Sequence, residues 1–357
     1  MDRPLRATFF SVVPSPYQRD LFAALAARPE VELRVHYLEA AAPDSPWPEK
    51  PLAPYEHILP GRWFALGAAR CHVNWPLPDL RDTDAVVLNT MINSVTGQWL
   101  MRTSLRRRRW VFWGERLSAR KFLRDRFAAP LNGATAIVGI GTAASRDYAA
   151  RFPRPRHWCI PYHCDLAPFL ARPRHARTDG RVAFLFCGQM IARKGVDALL
   201  AAFARLGECA RLLLVGREAE LPAMLATLPE KVRARIEYAG FRAPEALPEF
   251  FARADVFVLP SRYDGWGVVV NQALGAGLPV LCSDAVGAGH DLVAEEKNGV
   301  RFPVGDVDAL GAAMQRLLDA PELIDRWGAA SREKALEYLP ERGAARWVEV
   351  LREVCAA

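Results

Sequence analysis

Asp264 and Gln272 stand eight residues apart in Pro260–Ala273, which reads PSRYDGWGVVVNQA, with Trp266 and two glycines close to the acid. Gly265 and Gly267 lack a Cβ, so the amides around them can approach a ligand closely. A helix beginning near Val268 adds an N-terminus that favours anionic oxygens. Asp264 can accept hydrogen bonds from hydroxyl groups. With the helix starting there, Gln272 is expected about two turns along the same face. A purely structural strand-to-helix turn explains the glycines but not Asp, Trp and Gln together. A second segment, Phe186–Gly195 (FCGQMIARKG), closes an apolar run with Gly188 and Gln189 and carries Arg193 and Lys194 where the next helix begins. The lysine there can reach phosphate oxygens held at the helix entrance; a plain turn with an exposed Arg-Lys pair is the other reading. Gly216 and Gly240-Phe241 close two further apolar runs. Phe241 either offers a flat face to a nucleobase or belongs to the core.

These segments need elements to position them, and the pattern supplies βαβ units. In the first half the expected strands are Arg6–Val13, Leu33–Leu38, Ala85–Asn89, Trp110–Trp113 and Ala136–Gly139, with helices over Tyr17–Ala27 and Thr142–Arg151. Residues 40–80 are Pro-rich and are expected to be a long irregular excursion. Residues 165–180 read as a linker. The second half restarts with strands Val182–Cys187, Leu212–Val215, Ile236–Tyr238, Val256–Leu259 and Val280–Cys282, each followed by helical spacing, and ends in an amphipathic stretch, Glu341–Val354. The fold class expected is α/β with two doubly wound Rossmann-like domains facing a central cleft, where ligands of open α/β sheets bind. The domains are expected at 1–168 and 176–340, with helix 341–357 packing back on the first.

The composition is that of a globular chain: 357 residues, 51% hydrophobic and 24% charged. That length exceeds what one core usually serves. No run of about 18 apolar residues suggests a spanning helix, and the start reads as a buried strand, not a signal peptide. Seven scattered cysteines form no C-x-x-C pair, which argues against a disulfide framework or zinc site and for the cytoplasm. Residues 1–170 hold 23 Lys and Arg against 15 Asp and Glu, and the rest hold 24 against 25. The net charge of +7 therefore belongs to the first half, densest in Met101–Trp110 (MRTSLRRRRW) and Arg116–Arg126. The partner expected is an anionic membrane surface touched peripherally, or the basic face is merely solvated. Nucleic acid is not expected, because no recognition signature accompanies the charge.

Taken together, residues 182–320 closely resemble the family 4 glycosyltransferases of the GT-B fold, whose hallmark is an acidic pair eight residues apart after P-S. Asp264 falls on the first acidic position, Trp266 on the aromatic, Gly267 on the glycine and Gln272 on the second acidic position. Lys194 falls on the diphosphate-binding lysine, and Gln189 stands where the family usually has arginine, so Arg193 is the expected guanidinium. VGAGHDLV and NGVRFPVGDVDAL also look like the family's nucleotide-sugar cradle. The first half matches more loosely. VFWGERL offers Glu115 where relatives carry a residue facing the reacting centre, and IPYHCDLAPF resembles an interdomain segment, with Asp165 matching and His163 read as structural. The resemblance implies a hexosyltransferase-type enzyme moving sugar from a nucleotide-diphosphate sugar to a glycan or lipid-linked acceptor. It implies retention of configuration, no cofactor beyond the donor substrate, no metal, and a role in polysaccharide synthesis. Lys194, Arg193, Asp264 and Glu115 are the catalytic candidates. Gly188, Gln189, Gly216, Phe241, Gly265, Trp266, Gly267, Val268 and Gln272 are the donor-binding ones. Two other readings stay open, an inactive nucleotide-sugar-binding subunit and a nucleotide-sugar epimerase. Glu115 either orients or deprotonates the acceptor or is a surface carboxylate beside Arg116.

Overall fold

The computed structural model describes residues 3–41, 50–66, 69–117, 122–177 and 180–356. Contacts divide the chain into two compact units, Met1–Cys164 with Pro340–Ala357, and Asp165–Leu339. The second therefore begins inside the segment expected as linker, which holds a short helix, Ala167–Leu170. Parts of the excursion (42–49, 67–68), of the linker (178–179) and of the second basic stretch (118–121) lie outside the described residues.

Among the described residues the first unit has nine strands: β1 Leu5–Ser11, β2 Val31–Tyr37, β3 Glu56–Ile58, β4 Gly61–Leu66, β5 Ala69–Asn74, β6 Ala85–Asn89, β7 Trp110–Gly114, β8 Ala136–Gly139 and β9 Arg156–Cys159. Seven form a parallel sheet in the order β3-β2-β1-β6-β7-β8-β9. Its central strands are buried from end to end, as a sheet covered on both faces requires. The last helix, Pro340–Ala356, packs on helix Pro16–Ala26. It delivers Trp347 edge-on to Phe9 at 5.1 Å and to Trp113 at 5.3 Å.

Residues 40–80 correct the expectation of an irregular excursion. β3 joins the sheet edge beside β2, and β4 pairs with β5 as an antiparallel hairpin. The anchor is polar, which is why no apolar run announces it. Glu56 accepts from Arg19 at 2.6 Å and from the Tyr37 hydroxyl at 2.6 Å, with its carboxylate 1% exposed. Two other strands were not expected, β9 and β15 (Gly299–Phe302). Both are four-residue edge strands without a continuous apolar run.

The second unit continues with β10 Val182–Cys187, β11 Ala210–Val215, β12 Ile236–Tyr238, β13 Val256–Leu259, β14 Val280–Ser283 and β15, in the order β12-β11-β10-β13-β14-β15, all parallel. Strand order reverses between β10 and β13, where Phe184 lies opposite Val256. The loops leaving these two strands thus diverge at a switch point, the usual ligand position in doubly wound sheets. They are Cys187–Val196 and Pro260–Val268.

Candidate functional site

The two loops meet backbone to backbone. Gly195 sits at φ 72° after the 3-10 turn Ala192–Lys194, and a Cβ there would overlap the carbonyl oxygen of Pro260. Arg262 N–H donates to the Arg193 carbonyl at 2.8 Å, and the Arg193 guanidinium returns a bond to the Tyr263 carbonyl at 3.0 Å. Arg262 grips Asp197 through two bonds of 2.7 and 2.6 Å. That guanidinium, followed by burial acting against it, leaves the Asp197 carboxyl below its usual range.

The junction brings Lys194 Nζ to within 2.5 Å of Asp264 Oδ2, with the side chains only 17% and 13% exposed. Two of the expected catalytic residues are therefore one ion pair. Asp264 is held from the other side as well. Its N–H donates to Ala285 O at 3.2 Å, its carbonyl accepts from Gly287 at 3.1 Å, and it forms a bridge with Val286.

Helix Val269–Gly275 begins after this loop, so Asp264 precedes the helix by five residues and its place is set by the Val286 bridge. The expectation that Asp264 and Gln272 share a helical face is corrected on that ground. Gly265 is buried, Gly267 takes φ 93°, and Val268 occupies the cap, bringing the backbone from Gly265 to Val268 to the helix entrance. Gln272 Oε1 is buried and has no hydrogen-bond partner. A buried acceptor without a donor is costly, and a ligand hydroxyl would relieve it.

Trp266 corrects another expectation. Its indole is 1% exposed and its N–H donates to Asn271 Oδ1 at 2.9 Å, so the ring forms part of the wall and is not offered to a ligand. Its carbonyl accepts from Ala288 at 2.8 Å, which ties the loop to the turn after β14. Gly188 and Gly216 lie at the ends of β10 and β11, and a Cβ on Gly216 (φ 138°) would overlap the Gly188 carbonyl oxygen. Gly216 N–H in turn donates to Gly240 O at 2.9 Å. The strand ends thus form a floor of backbone with Gln189, half-buried, at its border. Phe241 is 47% exposed with the Arg217 guanidinium 6.0 Å from its ring centre, which rules out the core reading. Burial pushes the Cys187 and Cys282 thiols up to about 12, so neither offers a thiolate.

Glu115 belongs to the first unit. It follows β7, half-buried, and hydrogen-bonds the buried Tyr162 hydroxyl, whose ionisation burial suppresses first and the Glu115 charge second. Gln18 links Tyr162 to Ser11 with bonds of 3.5 and 2.7 Å. This network removes the surface-carboxylate reading of Glu115. His163 is buried on Pro161 O at 2.7 Å, and His290 has its ring nitrogens on Asp284 O and Arg301. Among the described residues no group of three His, Cys, Asp or Glu is placed to hold a metal ion. Sequence reasoning missed Arg262, Asp197 and Asn271. Arg262 and Asn271 lay inside a motif already singled out, at positions the pattern leaves variable, and Asp197 lay outside both motifs.

Residues 181–320 match the family model of the group 1 glycosyl transferases. Over 203 residues the chain is 31% identical to the GDP-mannose-dependent alpha-mannosyltransferase of Mycolicibacterium smegmatis, covering 55% of this chain and 51% of that protein. Alpha-D-kanosaminyltransferase of Streptomyces kanamyceticus is 28% identical over 152 residues, 42% of this chain and 39% of its own. The chain thus spans about half or less of the length of these curated relatives. Sucrose-phosphate synthase from Thermosynechococcus elongatus superimposes with a TM-score of 0.76 at 20% identity over 99% of both chains. The Anabaena protein HepE, solved in complex with UDP and glucose, gives 0.73 at 15% identity over 98% of this chain and 100% of its own. At these identities the likeness carries the fold, which is GT-B.

Proposed function

We propose that this chain is a glycosyltransferase of the family 4 type, moving a sugar from a nucleotide-diphosphate sugar to an acceptor hydroxyl in glycan or glycolipid synthesis, in the cytoplasm. The observation that carries the reading is the Lys194–Asp264 pair at the switch point, followed by a helix that carries the buried, unpartnered Gln272 oxygen. An ammonium already held at a helix entrance is placed to meet a diphosphate, and its contact with Asp264 is exchanged for phosphate oxygens when the donor arrives. Asp264 is then released to accept sugar hydroxyls, and Gln272 to accept the ribose hydroxyls.

In the transfer step the bond between the anomeric carbon and the diphosphate oxygen breaks and a bond to the acceptor oxygen forms. The acceptor proton goes to the leaving diphosphate, and configuration is retained. Charge grows on that diphosphate, so Lys194, Arg193 and the amides of Gly265–Val268 lower the barrier without a metal. Glu115, oriented by Tyr162, orients the acceptor. UDP in the HepE complex and GDP-mannose in the mannosyltransferase's name support a nucleoside diphosphate as the donor's leaving group.

A second reading, a nucleotide-sugar-binding subunit without transfer, is favoured by the neutral Gln272 and Gln189 at positions the resemblance assigns to charged residues. A panel of nucleotide sugars, assayed for nucleotide release with and without glycan and lipid-linked acceptors, separates the two. Release from one donor supports the transferase. Binding without release under every acceptor supports the subunit. Binding of none overturns both.

A further inference from the structure

We propose that the outward face of helix Val95–Arg102, with the arginine turn that follows it, docks on an anionic lipid bilayer. This inference stands on the first unit alone and does not use the transfer reaction.

Val95, Trp99 and Arg102 stand at i, i+4 and i+7, one face of the helix. Leu100 and Met101 are buried in the core behind it, yet Val95 is 43% and Trp99 54% exposed. Neighbouring elements widen that face. The Gln98 amide donates to the Phe127 carbonyl at 2.9 Å, and Arg102 donates to the Arg126 carbonyl at 3.4 Å. These bonds set Phe127, 45% exposed, next to the helix. On the other side Asn74 N–H donates to Thr96 Oγ1 at 2.9 Å, so the residue bonded to the first helical turn is followed by Trp75, 71% exposed.

The charge at this face has one sign. From Thr90 to Gly114 the chain carries five arginines and no carboxylate. Arg102, Arg106 and Arg107 are exposed, and Arg126 is exposed beside Phe127. The neighbouring Asp125 is ion-paired with Arg151 at 3.2 Å. Trp and Phe gathered on one face with arginines at its end match the interfacial region of a bilayer, where rings sit at headgroup depth and guanidinium groups meet anionic lipid. A nucleic-acid track asks for rings set between cations along a groove, which this arrangement lacks.

The test is co-sedimentation of the full chain with vesicles of phosphatidylcholine alone and of phosphatidylcholine with phosphatidylglycerol. Binding is expected only to the anionic vesicles and is weakened by salt. Arg102→Gln with Arg106→Gln should lower it roughly 25-fold, about fivefold for each charge near the surface. Trp99→Ala with Phe127→Ala should lower it about tenfold. The charge-matched pair Arg205→Gln with Arg253→Gln, on the second unit, should leave it unchanged. All positions are exposed except Arg253, which is half-buried, and a thermal midpoint shared with the parent protein confirms folding. If the aromatic pair unfolds, the arginine pair alone decides. Equal binding to neutral vesicles, or unchanged binding by the arginine pair, overturns the proposal. So does single-stranded RNA bound as tightly as anionic vesicles and lost in the same variants, or a dimer that dissociates when Trp99 and Phe127 are removed.

Discussion

Lys194 and Asp264 lie seventy residues apart in the chain and 2.5 Å apart in the fold. If that ammonium meets the leaving diphosphate, Lys194→Ala should reduce turnover by about 10²–10³-fold, the range seen when one preorganised transition-state donor is removed. Circular dichroism should stay native, since the pair lies in loops and not in the core. A rate within threefold of the parent protein would remove Lys194 from the mechanism. Gln272 gives a prediction of opposite sign. Its buried oxygen lacks a donor, so Gln272→Glu should tighten UDP or GDP binding about tenfold, because a charged acceptor makes the stronger bond to a ribose hydroxyl. The same variant should be less stable without nucleotide, because the new carboxylate is then poorly solvated. Calorimetry with each nucleotide and a melt without it read both effects. Lys194 and Asp264 were legible in the sequence because each lies in the loop after a recognisable apolar run, and Gln272 because it stands eight residues after Asp264. Trp266 was legible as important but not as a wall residue, since an aromatic between glycines reads the same whether it faces ligand or core.

At the scale of elements, the site depends on two loops meeting at glycine. Gly195→Ala must hold an L-residue at φ 72° and push against the Pro260 carbonyl, so it should cost about 1–3 kcal/mol or more and part the loops. Donor binding should fall with the melting temperature, and a variant with parent-like melting and binding would contradict the packing described. Strands whose residues are buried on both faces, such as β10 and β13, could be read from sequence to within a residue or two. β3 could not, because its anchor is the buried Glu56 carboxylate bonded to Arg19 and Tyr37, a pattern with no periodicity along the chain. β9 and β15 escaped for a related reason: edge strands of four residues gain their order from a neighbour.

At the scale of the molecule, the last helix is part of the first unit's core. Trp347→Ala should destabilise that unit by about 3–5 kcal/mol, the range for truncating a buried aromatic, and urea denaturation with a probe on that unit would show it. Acid should act on the same unit. Burial foremost holds His36 and His163 neutral, with their pKa lowered to about 4. The unfolded chain takes up protons near 6.5 and the folded unit only near 4, so stability is lost as pH falls through that window and is unaffected above it. For each histidine the loss is on the order of 3 kcal/mol by pH 4. His163→Gln should therefore flatten the decline between pH 6.5 and 4 relative to the parent, and an unchanged pH profile would count against it.

What the sequence by itself determined is local: which runs are buried strands, where glycines end them, and which cations and acids stand at those ends. Periodicity and apolar content act over a few residues, so they survive without the fold. Tertiary structure decided the pairings. Lys194 finds Asp264, Arg262 finds Asp197, Trp266 turns inward to Asn271, and Trp347 returns to Phe9. Such contacts depend on strand order and on which loops a switch point brings together, and strand order is fixed by packing whole sheets.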